Sequence, residues 1–186
     1  MNVYDFDKTL FRGDSTRRFL VYLIGKQPRL LAQVPGFLGN ALLFGLKLRK
    51  KQAFKEKMFR AFFGHAQNID QALSDFWQKN LSRIFSWYAQ TQRPDDVVIS
   101  ASPEDLVRPA CQALGIVHVM GSPVDLHTGR YLGPNCHGEE KVRRFREAFP
   151  GAQVDTFYSD SHSDDPMARI ARKAVLVRGE KLLPWN

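Results

Sequence analysis

Asp5 and Asp7 stand two residues apart at the end of a short apolar run, Val3, Tyr4 and Phe6, with Thr9 just beyond. Val, Tyr and Phe favour strands, whereas Asp is depleted there. Side chains at i and i+2 of an extended chain share a face, so the two carboxylates can converge on one point. Held close, they repel, and one pKa must rise unless a cation lies between them. A hard divalent cation with oxygen ligands, Mg²⁺ above all, suits such a pair. The competing reading is a solvated turn in which Asp7 caps the next segment.

Four other residues carry polar chemistry at comparable places. Ser100 ends the apolar run Val97–Ile99, Lys141 follows Gly138-Glu139-Glu140, and Asp160 and Asp164 follow the run Val154–Tyr158. Elements must exist to bring these together. From Pro94 onward the pattern alternates: strands are predicted at 97–100, 117–120, 154–158 and 174–177. Helices are predicted at 103–114, 139–149 and 166–172, and a hairpin at 124–132 around Thr128-Gly129. Continuous apolar strands alternating with helices give an α/β fold, a Rossmann-like parallel sheet covered on both faces. Ligands gather beyond the carboxyl ends of such strands, where Asp5, Asp7, Ser100, Asp160 and Asp164 fall.

Between the first strand and this alternating region the chain reads as all-helical. A helix is expected over 16–24, capped by Asp14 or Ser15, with others at 52–63 and 68–90. Residues 29–49 are the most apolar stretch, without a charge between Arg29 and Lys47, but Gln33, Pro35, Gly36, Gly39, Asn40 and Gly45 interrupt it. A spanning helix needs ~20 predominantly apolar residues, and this run is slightly short and expected to break at Pro35. Lys26 and Arg29 precede it; Arg49, Lys50, Lys51, Lys55 and Lys57 follow. Two readings remain: an interfacial anchor on an anionic leaflet, or a buried helical hairpin.

The 186 residues suffice for one domain with an insert, and a 44% hydrophobic, 25% charged composition excludes disorder. With 27 Lys and Arg against 19 Asp and Glu, the formal charge of +8 favours anionic partners. Basic and aromatic residues do not interleave as single-strand binding requires, so no nucleic-acid partner is expected. Cys111 and Cys136 lack metal-binding spacing and are read as reduced thiols. The motif begins directly on the first strand, so the catalytic half is expected to be cytoplasmic.

Taken in order, Asp5-Phe6-Asp7-Lys8-Thr9, Ser100, Lys141 and Asp160 with Asp164 resemble the four motifs of the haloacid dehalogenase superfamily. That resemblance implies a phosphatase with Asp5 as nucleophile forming an aspartyl phosphate, and Asp7 as general acid, then base. It implies Ser100 and Lys141 on the phosphate, and Mg²⁺ held by Asp5, Asp7 through its carbonyl, and Asp160. Asp164 would orient Lys141 or a metal-bound water, and Thr9 would hold the first loop. Ser102 reads as structural, and His137 and His162 as bystanders. The core would comprise 1–12 and 93–186, with a helical cap at 13–92. The cap position, Ser100-Ala-Ser-Pro-Glu and Cys136-His-Gly-Glu-Glu-Lys141 resemble the phosphoserine phosphatase-like branch. Within it, Lys26-Gln-Pro28, the apolar run and Phe62-Phe-Gly-His65 resemble the membrane-associated phosphatidylglycerophosphate phosphatases of bacteria. The implied substrate is a lipid phosphate, with the cap on an anionic inner-face membrane surface. The alternatives are a small phosphorylated metabolite, for which Asp14 would bind an amine, and a non-catalytic binding relative.

Overall fold

The computed structural model describes residues 1–186. Eight strands form: β1 (Asn2–Tyr4), β2 (Val97–Pro103), β3 (His118–Ser122), β4 (Val124–Asp125), β5 (Arg130–Tyr131), β6 (Val154–Ser159), β7 (Ala171–Arg178) and β8 (Lys181–Pro184). Six make one sheet in the order β3-β2-β1-β6-β7-β8, and β4 with β5 makes the expected hairpin. All pairings in the large sheet are parallel except β7 with β8. β1 is central and wholly buried, with Val3 opposite Val97 on one side and Phe157 on the other. The chain leaves β1 toward β2 and β3, then crosses back to β6 on β1's other flank. The carboxyl end of β1 therefore opens onto the crevice where this class of sheet collects ligands.

The helices are α1 (Ser15–Lys26), α2 (Val34–Gly45), α3 (Lys51–Phe62), α4 (Ile69–Asn80), α5 (Tyr88–Thr91), α6 (Glu104–Ala113), α7 (Glu139–Ala148) and α8 (Asp165–Ile170). Asp14 caps α1, its Oδ1 accepting the Arg17 N–H at 2.8 Å. Pro35 does not break a helix. It lies in the first turn of α2, where a missing N–H costs nothing, and residues 28–33 before it form a 3₁₀ segment. No helix is long and apolar enough to cross a membrane.

The single helix expected over 68–90 is instead α4, a 3₁₀ turn at Leu81–Arg83, an extended Ile84 and the short α5. Pairing with the loop after β1 wins over helix continuation. Phe85 N–H donates to Leu10 O and Arg12 N–H to Arg83 O, each at 2.8 Å, and Ile84 bridges Phe11. β8 was not expected from the sequence; it is a four-residue exposed edge strand.

One buried cluster joins Tyr4, Phe6 and Val98 of the sheet region to Phe19, Phe59 and Trp77 of the inserted helices. The Trp77 indole N–H donates to Leu106 O at 2.7 Å, fixing α4 on α6. A second cluster on the other face of the sheet packs Val3, Val97 and Phe157 against Val142 and Phe145 of α7.

Candidate active site

The strand geometry predicted for Asp5 and Asp7 holds only for the first of them. Asp5 N–H still pairs with Tyr158 O at 2.9 Å, in the manner of a sheet residue. The chain then turns: Leu10 and Phe11 N–H both donate to Phe6 O at 2.9 Å, and Lys8 takes a left-handed φ of 57°. The buried Phe6 and Phe11 rings stack at 5.9 Å and anchor that turn. Asp7 ends up beside the start of α1, its Oδ1 accepting the Ser15 N–H at 2.7 Å and its Oδ2 accepting the Ser102 hydroxyl. Thr16 Oγ1 lies 2.9 Å behind Ser102 Oγ, so the acid is held by a buried hydroxyl pair.

Lys141, in the first turn of α7, is 1% exposed and donates to Asp5 Oδ1 and Asp164 Oδ2, each at 2.8 Å. Asp164 Oδ2 also accepts the Ser159 hydroxyl at 2.8 Å. Burial works against the lysine's charge, but the two carboxylates outweigh it and hold its pKa above the ordinary value. Asp5 is pushed up to about 7, chiefly by burial, with Lys141 opposing. Asp7 is pushed up to about 6 by burial and by nearby Asp14, while its bonds to Ser102 and Ser15 pull the other way. Asp160 also rises, again chiefly through burial.

Asp160 sits at the end of β6, its N–H donating to Thr9 Oγ1 at 3.0 Å, so Thr9 ties the first loop to this one. Ser100 is buried and its Oγ accepts the Ser102 N–H at 3.1 Å. Asp5, Asp7, Asp14 and Asp160 line a cavity of about 730 Å³; Ser100, Lys141 and Asp164 do not line it but are hydrogen-bonded to lining residues or to one another, Ser100 to Ser102 and Lys141 to Asp5 and Asp164. The rest of that wall is largely apolar, from Val34, Phe37 and Leu38 around α2 to Phe54, Met58 and Phe62 of α3.

The donor set suits a hard cation. The Asp160 carboxylate and Asp5 Oδ2 accept no protein hydrogen bond, and neither does the main-chain carbonyl of Asp7. Such oxygens match the preference of Mg²⁺ for one or two carboxylates plus waters. The Asp7 carboxylate is engaged with Ser15 and Ser102, which leaves its carbonyl for a metal as expected, and Asp164, counted among the residues around the metal, is instead engaged with Lys141 and Ser159. No group of three or more His, Cys, Asp or Glu side chains forms a metal cage. Asp14 lines the cavity but spends one oxygen on the α1 cap.

Residues 3–169 match the model of the haloacid dehalogenase-like hydrolases. The chain belongs to that family. It is an enzyme, a phosphatase of the haloacid dehalogenase type. It is 28% identical to protein CicA of Caulobacter vibrioides over 182 residues, covering 90% of this chain and 81% of the relative. It is 24% identical to the histidinol-phosphatase of Neisseria meningitidis serogroup C, covering 94% and 88%. A probable phosphatase of Mycobacterium tuberculosis is 36% identical over 94 residues, 47% of this chain and 33% of that one. Among solved structures, a Bordetella pertussis protein superposes with a TM-score of 0.75 at 16% identity, covering 95% of this chain and 88% of that one. A phosphoserine phosphohydrolase-like protein of Francisella tularensis gives 0.58 at 14% identity, covering 95% and 87%. These likenesses support the haloacid dehalogenase fold seen here.

Two site residues escaped the sequence. Ser102 reads as structural, though its place two residues after Ser100 puts it on the same strand face and was a usable signal. Lys55 reads as one of many flanking cations, and nothing in its neighbourhood marks it. His137 lines the cavity, whereas His162 packs against Trp185 and Asp165 outside it.

Proposed function

We propose that the chain is a Mg²⁺-dependent phosphomonoesterase acting on a lipid phosphate such as phosphatidylglycerophosphate. The observation that carries the lipid reading is the continuity between the carboxylates and apolar surface. The cavity that begins at Asp5 and Asp7 is walled by Phe37, Leu38, Phe44 and Phe54, and Leu38 also belongs to the solvent face of α2. Leu38 and Leu42 on that face, and Leu46 and Leu48 just beyond the end of α2, are exposed, followed by Arg49, Lys50 and Lys51. Apolar side chains bordered by cations suit the inner, anionic face of a membrane.

In this reading Asp5 Oδ2, the oxygen without a lysine partner, attacks phosphorus and displaces the alcohol oxygen, forming an aspartyl phosphate. Asp7 enters protonated, its raised pKa serving that role, and gives its proton to the leaving oxygen. It then takes a proton from the water that hydrolyses the acyl phosphate, which restores Asp5 and releases phosphate. Lys141 offsets phosphoryl charge from a fixed position, and the Ser100 hydroxyl donates to a phosphoryl oxygen. Asp5, the Asp7 carbonyl and Asp160 would hold Mg²⁺, which supplies charge neutralisation between the carboxylates and the phosphoryl group.

The test is hydrolysis, with Mg²⁺, of phosphatidylglycerophosphate in mixed micelles against phosphoserine and histidinol phosphate. A preference of ~10-fold or more in kcat/KM for the lipid is expected, given the apolar area available to it. A preference for either soluble phosphate removes the lipid reading, and full activity of Asp5→Asn removes the mechanism.

A further inference from the structure

Lys55 projects from α3 into the cavity wall and is partly buried. Its ammonium donates to Ala101 O at 2.7 Å and to Asn135 Oδ1 at 3.2 Å. Both acceptors are neutral, and no carboxylate lies within ion-pair distance of it, whereas Lys141 has two. An ammonium has three donors, so one remains without a protein acceptor. Taking a cation out of water without an anionic partner is costly, and proteins pair such charges. The missing partner is an anion that arrives with a ligand.

Its position says which part of the ligand. Its acceptor Ala101 O directly precedes Ser102, whose hydroxyl holds the Asp7 carboxylate, whereas Asp5 is held by Lys141 from α7. Lys55 thus stands on the side of the acid/base, where the leaving group departs, and not on the side of the nucleophile. Resting on the phosphomonoesterase reading above, we propose that Lys55 is a specificity residue that binds a second anionic group on the leaving alcohol. The substrate class is then a phosphomonoester whose alcohol carries a further negative charge, such as a phosphodiester. The two tethers hold the ammonium in place before that group arrives, which limits the ordering cost on binding.

The test compares glycerol 3-phosphate with its derivative carrying a glycerophosphodiester on the second terminal hydroxyl, using the full chain with Mg²⁺. The wild-type enzyme should favour the diester-bearing substrate by about tenfold or more in kcat/KM, the worth of one hydrogen bond to a charged group. Lys55→Met should abolish that preference, and Lys55→Arg should keep part of it. A second reading uses the wild type alone. Burial and neighbouring Lys51 push the Lys55 pKa down to about 8, against the fields of Asp7, Asp14 and Cys136. The preference should therefore fade as pH rises through about 8, and this decides the matter if Lys55→Met does not fold. Equal use of both substrates by the wild type, or an equal loss on both in Lys55→Met, overturns the assignment of Lys55 alone. Hydrolysis of neither substrate overturns the phosphomonoesterase reading together with it.

Discussion

Replacing Lys141 by Met keeps the length of the side chain and removes its charge, and the structure says what remains. Asp5 and Asp164 are 8% and 3% exposed, and both touch the same ammonium at 2.8 Å. Without it, two buried carboxylates face each other with only the Ser159 hydroxyl as compensation. Breaking a buried ion pair by removing one partner costs about 3–5 kcal/mol. For a chain of this size ~1 kcal/mol moves Tm by roughly 2–4 °C, so a fall of roughly 6–20 °C is expected in chelator. Adding Asp164→Asn should recover part of that fall, because it removes one of the stranded charges. Activity should drop by ~10²-fold or more, as for loss of a fixed electrostatic contact to the transition state. The assays are thermal unfolding in EDTA near pH 7.5 and hydrolysis of an aryl phosphate with Mg²⁺. A fall in Tm below about 2 °C, or one that Asp164→Asn leaves unrelieved, would refute the claim that this lysine balances both carboxylates.

Stability in chelator should fall as pH rises from about 4 through about 7. Asp7 and Asp5 have folded pKa values raised above the unfolded ones, to about 6 and about 7, so the folded state binds more protons across that window and deprotonation works against it. Saturating Mg²⁺ should flatten this slope, and thermal melts at several pH values with and without the metal check both statements. Gly129→Ala should destabilise the fold by at least ~1–3 kcal/mol in denaturant titration. Its φ is +69°, and a Cβ there would meet the Phe59 carbonyl carbon at 2.3 Å. Leu42→Glu should leave Tm within about 2 °C, since this side chain is 64% exposed, yet reduce co-sedimentation with anionic vesicles several-fold. Unchanged sedimentation would remove the membrane role of α2.

What the sequence revealed and what it hid follow one physical division. The buried strands were legible because parallel strands covered on both faces favour continuous apolar runs: Val97–Ile99 is one, and Val154, Phe157 and Tyr158 mark the other despite Asp155 and Thr156 between them. Asp5, Asp160 and Ser100 could be placed because they end those runs. Asp7 was harder. Its expected alignment with Asp5 assumed an extended chain, but the Phe6 carbonyl collects the following amides and turns the chain toward Ser15. The break in the 68–90 helix was hidden for a related reason. Residues 81–85 keep helical spacing, and only their pairing with Leu10, Phe11 and Arg12, some seventy positions away, takes them out of the helix. Lys55 was invisible because its meaning lies in what it fails to contact.

The inserted helices do not behave as one unit in their packing, and that bears on how a substrate enters. α1 and α4 share the sheet's own buried cluster through Phe19, Phe76 and Trp77, and Trp77 is hydrogen-bonded to α6. α2 has a single buried residue, Asn40, whose amide donates to Phe54 O at 3.0 Å. Its aromatic contacts run to α3, with Phe44 stacked on Phe54 at 4.6 Å and Phe37 against Phe62 at 5.8 Å. α3 in turn is held to the core at its inner edge, by Lys55 on Ala101, Gln52 on Gly133, and Gly129 against the Phe59 backbone. Segments with few buried contacts open at lower free energy than those in the core. The α2 side of the cavity is therefore expected to open first, while hydrogen bonds to Ala101 and Gly133 hold α3 on the core. Hydrogen exchange should show α2 amides exchanging faster than those of α1 and α4, and equal protection across the three helices would defeat this ordering.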